Sequence, residues 1–190
     1  VGLADGHEWL AAEETARDGV KFIANMPTEE VFTAPHSHNV HGLVKNALPL
    51  AEDGHVIDDF TLEFKDGEVV AFSAGKGEKA LAGILGTDEG AKRLGEVALI
   101  GKNSPVAESG LLFFNTLFDE NASCHLALGK AYPTTLRGGG EMSDAQLAER
   151  GANDSSVHTD FMIGTKDLNV TGVTKAGERI PLLQNGDWVI

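Results

Sequence analysis

The sequence predicts a single α+β domain with a mostly antiparallel or mixed sheet and short flanking helices. Three observations carry this. The chain has 190 residues, 42% of them hydrophobic, enough for one core and too few for two ordinary domains. Short apolar runs rich in β-formers recur along it, and one pair flanks an Asp-Gly turn signal. Strands and helices do not alternate strictly, as a doubly wound fold requires.

The elements follow in order. Residues 7–18 (HEWLAAEETARD) are rich in Ala and Glu and read as a helix ending at Gly19. Residues 20–25 (VKFIAN) read as a strand, stopped by Pro27, and Thr28 with the acids after it caps a short turn. Residues 42–48 form a strand. Residues 59–64 and 68–74 form a hairpin, because Asp66-Gly67 readily takes the positive φ angles of a tight turn. Residues 76–85 and 88–94 read as short helices, and residues 96–100 (EVALI) as a strand. The very apolar residues 110–115 (GLLFFN) are expected in the core, and residues 124–128 (CHLAL) look buried but ambiguous. A helix capped by Ser143 covers residues 143–150. Residues 157–163 (VHTDFMI), 167–174 and 178–190 are strands, with Gly172, Gly177 and Gly186 at turns.

Charge narrows the function. Fifteen basic and 29 acidic residues give a formal net charge of −14. Such a surface repels nucleic-acid phosphates and anionic lipid, so neither is expected as a partner. Most of the acids solubilise the surface, but clustered carboxylates also suit hard or borderline cations. One cysteine, Cys124, excludes an internal disulfide and fits a reducing, cytoplasmic setting. No apolar run approaches a membrane span, and no signal peptide opens the chain. The chain opens on Val1 rather than Met, and reads as a piece of a longer protein that lacks an N-terminal part.

Seven histidines offer the sharpest chemical signal. His36, His38 and His41 sit in TAPHSHNVHG, a loop-like stretch after Pro35, and read as a surface cluster without a functional metal role. His7 and His55 lie in polar surroundings. His125 differs, standing between two apolar stretches with Glu120 across a small-residue bend that can return both side chains to one point. His158 and Asp160 are two apart on an expected strand, so their side chains share a face. Glu30 and Glu96 lie at strand edges beside apolar segments, where a bare carboxylate is costly and a cation compensates it. Taken alone, these residues fit either a metal site or scattered core histidines and ion pairs.

Longer blocks bear on that choice. NMPTEEVFTAP, LGEVALIGKNSPV, LFFNTLFDENASCHLALGKAYP and NDSSVHTDFMIG resemble the signature blocks of the M29 family of metallo-aminopeptidases, the aminopeptidase T, aminopeptidase S and PepS type. The resemblance runs from GHEWL to NGDWV and is to the C-terminal catalytic half, so residues 1–190 are expected to form the metal-binding catalytic domain without the family's N-terminal domain. It implies two divalent ions, zinc, cobalt, manganese or magnesium, held by Glu30, Glu96, Glu120, His125, His158 and Asp160. Glu96 would also act near the nucleophilic water, and Tyr132, in GKAYP, would stabilise the developing oxyanion. None of these seven positions departs from the family pattern. The implied substrates are peptides with a free N-terminus, and the implied assembly is a homodimer. Two rival expectations remain: another dinuclear metallohydrolase, such as an amidase or phosphoesterase, or an inactive metal-binding or dimerising fragment.

Overall fold

A five-stranded antiparallel sheet organises the chain, with strand order β1-β4-β9-β10-β11. The computed structural model describes residues 1–23 and 28–190. In chain order, β1 (Leu10–Ala11), β2 (Glu13–Thr15), β3 (Lys21–Ile23) and β4 (Val31–Thr33) come first. They are followed by β5 (Gly42–Lys45), β6 (Leu50–Glu52), β7 (His55–Lys65), β8 (Glu68–Lys76) and helix α1 (Glu78–Leu85). Then come β9 (Leu94–Leu99), the short helices α2 (Pro105–Ser109) and α3 (Thr116–Asp119), β10 (His125–Gly129), α4 (Asp144–Glu149) and β11 (His158–Met162). The strands β12 (Val170–Val173), β13 (Arg179–Gln184) and β14 (Asp187–Trp188) form a separate three-stranded antiparallel sheet.

The two faces of the main sheet differ in chemistry. One face sends Leu126, Leu128 and Phe161 into a core shared with β7, β8 and α1, where Phe60 packs against Phe161 with ring centroids 5.7 Å apart. The other face carries Glu96, His125, Ala127, His158 and Asp160, because strand side chains alternate and these positions share one parity. A bulge sets this division on β9. Leu128 pairs with Leu94 and Ala127 with Glu96, so Gly95 is the extra residue. A Cβ on Gly95 would lie 2.3 Å from the Lys130 carbonyl oxygen, so only glycine lets β9 approach there. The bulge turns Leu94 into the core and Glu96 toward the opposite face.

The α+β architecture with antiparallel sheets is as the sequence predicts. The hairpin of β7 and β8 turns at Asp66 and Gly67, whose φ angles are 51° and 82°. Ser143 caps α4 in a reciprocal capping box with Gln146. Four expectations are corrected. Residues 7–18 are not helical: Leu10–Ala11 pairs with β4 and Glu13–Thr15 with β3, and this strand pairing overrides Ala and Glu propensity. Residues 110–115 are not core. Leu111, Phe113 and Phe114 are exposed, since the segment finds no sheet partner and is tied down by the Asp119 carboxylate instead. Of residues 88–94, only Gly90–Lys92 forms a single 3-10 turn, and Leu94 already belongs to β9. Gly172 lies inside β12 rather than at a turn. The break at Pro27 and the end of the strand expected over residues 20–25 fall outside the described residues.

Candidate metal centre

Six side chains from five places in the chain converge at one point. β10 lies between β9 and β11, and its Ala127 pairs with Glu96 on one side and Asp160 on the other. The alanine methyl leaves a hollow between the two carboxylates. His125 lies two residues back on the same face, and His158 two residues before Asp160. Glu30 enters from the residue before β4, where the Thr28 hydroxyl accepts its backbone N–H at 3.2 Å. Glu120 arrives from the single 3-10 turn, Glu120–Ala122, that follows α3.

The ligand atoms form three overlapping groups: Glu30, Glu96 and His125; Glu96, His158 and Asp160; Glu120, His125 and Asp160. Within each, the atoms lie inside 4.8 Å of one another. Nε2 of His125 is 3.4 Å from Glu30 and 3.3 Å from Glu96, and Nε2 of His158 is 3.4 Å from Asp160 and 3.8 Å from Glu96. Backbone carbonyls aim both rings. The Nδ1–H of His125 donates to Ser123 at 3.1 Å, and that of His158 to Lys130 at 2.7 Å. This leaves each Nε2 lone pair of the neutral ring directed at the cluster, the arrangement a metal-binding imidazole needs.

The electrostatics of the cluster call for a cation. Four carboxylates face two imidazoles, so negative charge is in excess even with both rings protonated. Burial is the main force pushing the Glu120 carboxyl up to about 8, and the charges of Asp160, Glu30 and Glu96 add to it against the opposing pull of His125. Burial likewise raises Glu96. It opposes the charge on His125, yet hydrogen bonds to Glu30 and Glu96 hold that imidazole well above its ordinary range. For His158 burial again opposes the charge, and Asp160 overrides it, giving a value of about 9. Burial would raise Asp160, but the two imidazoles beside it hold its carboxyl low. Its Oδ1 is nonetheless buried without an aligned hydrogen bond, although His158 Nε2 stands 3.4 Å away. A buried acceptor left open inside such a donor set fits a divalent cation.

An open cleft of about 820 Å³ covers the cluster. Its lining includes Glu30, Glu96, Glu120, His158 and Asp160, together with Phe32 and Tyr132, and among the described residues no Lys or Arg. Tyr132 stacks beside His158 with ring centroids 4.7 Å apart. Burial, with the surrounding carboxylates, pushes its phenol up to about 12, so it stays a neutral O–H donor. A smaller cavity of about 260 Å³ lies beside Cys124 and is lined by none of the six.

Six of the seven residues singled out in the sequence therefore line one cleft, and the seventh, His125, is buried against Glu30 and Glu96 behind that lining. His36, His38 and His41 belong to none of the three ligand groups found among the described residues, and His38 lies against Arg93 at 3.2 Å. Sequence reasoning missed Glu52, which also lines the cleft, and the carbonyls of Ser123 and Lys130. An acid ahead of the Asp53-Gly54 turn was the only signal for the first, and backbone acceptors leave none.

A carboxylate and imidazole cluster beneath an open cleft is the kind of donor set that metal-dependent hydrolases use. Comparison with known proteins makes the assignment particular: residues 1–188 match the model of the thermophilic metalloproteases, M29, and the chain belongs to that family. It is 57% identical over 188 residues to Aminopeptidase 2 of Geobacillus stearothermophilus, covering 99% of this chain and 46% of that protein. It is 49% identical over 188 residues to Aminopeptidase AmpS of Bacillus subtilis, with the same coverage. The structure of wild-type AmpT from Thermus thermophilus superposes with a TM-score of 0.94 at 46% identity, over 100% of this chain and 47% of that one. The chain thus spans about half the length of the relatives it matches.

Proposed function

We propose that the chain is the metal-binding catalytic domain of an aminopeptidase, which removes N-terminal amino acids from peptides at a dinuclear metal centre. The observation that carries this reading is the convergence of six ligand-type side chains in one cluster of an M29 chain, five of them lining a cleft with Tyr132. Glu30, Glu96, Glu120, His125, His158 and Asp160 would hold two divalent ions. Glu96, His125 and Asp160 each belong to two of the three groups, as expected where two cations sit side by side. Oxygen and imidazole donors favour zinc, cobalt, manganese or magnesium over a thiol-seeking metal. Cations held by these residues would supply a water of lowered pKa and a Lewis acid for the scissile carbonyl.

The chain's own residues supply the rest. Glu96, or Glu120 beside it, takes the proton from the attacking water and passes it to the leaving amine. The Tyr132 hydroxyl donates a hydrogen bond to the oxyanion. Phe32 packs edge-on against Tyr132, with centroids 6.5 Å apart, and steadies its ring. The acidic lining of the cleft favours the positive free amine of a peptide N-terminus, which limits the enzyme to exopeptidase action.

Glu96→Ala and His158→Ala should each abolish metal-dependent hydrolysis of an aminoacyl chromogenic amide. Retained activity in either would contradict the assignment. A panel of free and blocked N-termini separates an aminopeptidase from another dinuclear hydrolase, since only the former needs the free amine. The length comparison keeps a second reading in view, a folded, metal-binding but inactive or dimerising fragment. Metal content and activity measured against a longer version of the protein separate the two. A cytoplasmic location and a homodimeric assembly complete the proposal. The single buried thiol, Cys124, supports the first, and the exposed apolar segment around Phe113 supports the second. No helix among the described residues is long and apolar enough to cross a membrane.

A further inference from the structure

The cleft does not end at its own rim. A second cavity of about 500 Å³ adjoins it, and the two share Glu52, Thr116 and Leu117 as lining residues. One wall of this annex is the turn between β6 and β7, where Asp53 and Gly54 take φ angles of 47° and 76°. The other wall is the start of α3, with Phe114 and Leu117 exposed at 56% and 52%. Both walls are tied in place. The Thr116 hydroxyl donates to the Ala51 carbonyl at 3.0 Å and bolts α3 to β6. The Asp119 carboxylate accepts the backbone N–H groups of Phe113 and Asn115 at 2.7 and 3.0 Å, and Phe114 stands at φ 54°, a left-handed conformation that a bulky residue rarely adopts. The annex is therefore preorganised, with an apolar side and an acidic side.

An exopeptidase that holds the free amine at its ligand cluster must let the rest of the chain leave. The geometry points to this annex as the binding groove for the residues on the leaving side of the cut bond, selecting peptides with apolar or basic residues there and disfavouring acidic ones. The inference rests on the aminopeptidase reading. Continuity supports it, since the annex opens on the ligand cleft across three shared residues. Charge supports it too: Glu52 and Asp53 line the annex with His55, while Lys and Arg are absent from the lining of both cavities among the described residues.

The test is an NMR titration of the isotope-labelled, zinc-supplemented chain. The probe is the tetrapeptide Leu-Ala-Phe-Lys with its first peptide bond reduced so that it cannot be cut. Leu-Ala-Glu-Glu, modified in the same way, and leucine amide serve as comparisons. The amides of Gly54, Val56 and Asn115 should shift with the first tetrapeptide and not with leucine amide. The acidic peptide should bind at least about five-fold more weakly, as like charges demand. Phe114→Asn keeps a residue tolerant of positive φ and removes the ring, and should weaken the first tetrapeptide about five-fold through lost apolar contact. Shifts confined to the surroundings of Tyr132 and His158 would overturn the groove and leave the aminopeptidase reading standing. No shift anywhere would overturn both. Annex amides that respond to protein concentration and not to peptide would assign the surface to a second copy of the chain and overturn the groove.

Discussion

Glu120 and His158 set the pH behaviour of the centre. In the metal-free fold Glu120 keeps its proton up to about 8, against an ordinary 4.5, and His158 keeps its own up to about 9, against 6.5. For Glu120 the unfolded chain has already lost the proton, so folding stability declines as pH rises from about 5 to 8. For His158 the charged ring stabilises the fold below about 6.5, and that contribution is lost as pH rises through about 9. Both effects make the metal-free chain weaker with rising pH. Cation binding requires both protons to leave, so affinity grows over the same range and protons are released. Thermal unfolding in chelator should therefore show Tm falling from about pH 6 to 9, while the gain in Tm on adding a divalent ion widens; parallel curves would contradict this assignment. The pairing of His158 with Asp160 was legible in sequence because strand side chains repeat every second residue. Glu30 and Glu96 were legible only as acids in need of a partner, since strand pairing, not local spacing, brings them to His125.

At the scale of elements, the Gly95 bulge positions the site. Gly95→Ala places a methyl against the carbonyl oxygens of Lys130 and Gly129, at 2.3 and 2.4 Å, so β9 must shift away from β10. We expect a loss of about 1–3 kcal/mol in stability together with weaker cation affinity, measured by denaturant unfolding and metal titration. Ser143→Ala serves as the contrast: it removes the α4 cap, costs about 1 kcal/mol, and leaves cation affinity unchanged because α4 does not line the cleft. The hairpin at Asp66-Gly67 and the capped α4 were readable because their signals are local. The strands over residues 7–18 were not, because their partners, β3 and β4, override an Ala- and Glu-rich composition. Residues 110–115 misled for a related reason. Hydrophobicity reports what a segment would bury, not whether a sheet edge is available to cover it.

For the whole molecule, the main sheet keeps its two tasks on opposite faces, a hydrocarbon core on one and a ligand cluster on the other. All six candidate ligands come from this one chain, although it spans about 46% of its relatives' length. On the proposed ligand set, the metal-free chain should regain Tm when zinc or cobalt is restored after chelation. The most direct test of the proposed dinuclear centre is anomalous scattering from a crystal of the metal-loaded chain, recorded on both sides of the metal's absorption edge. The account predicts two neighbouring peaks among Glu30, Glu96, Glu120, His125, His158 and Asp160. A single peak there, or peaks only at the His36–His41 loop, would contradict it.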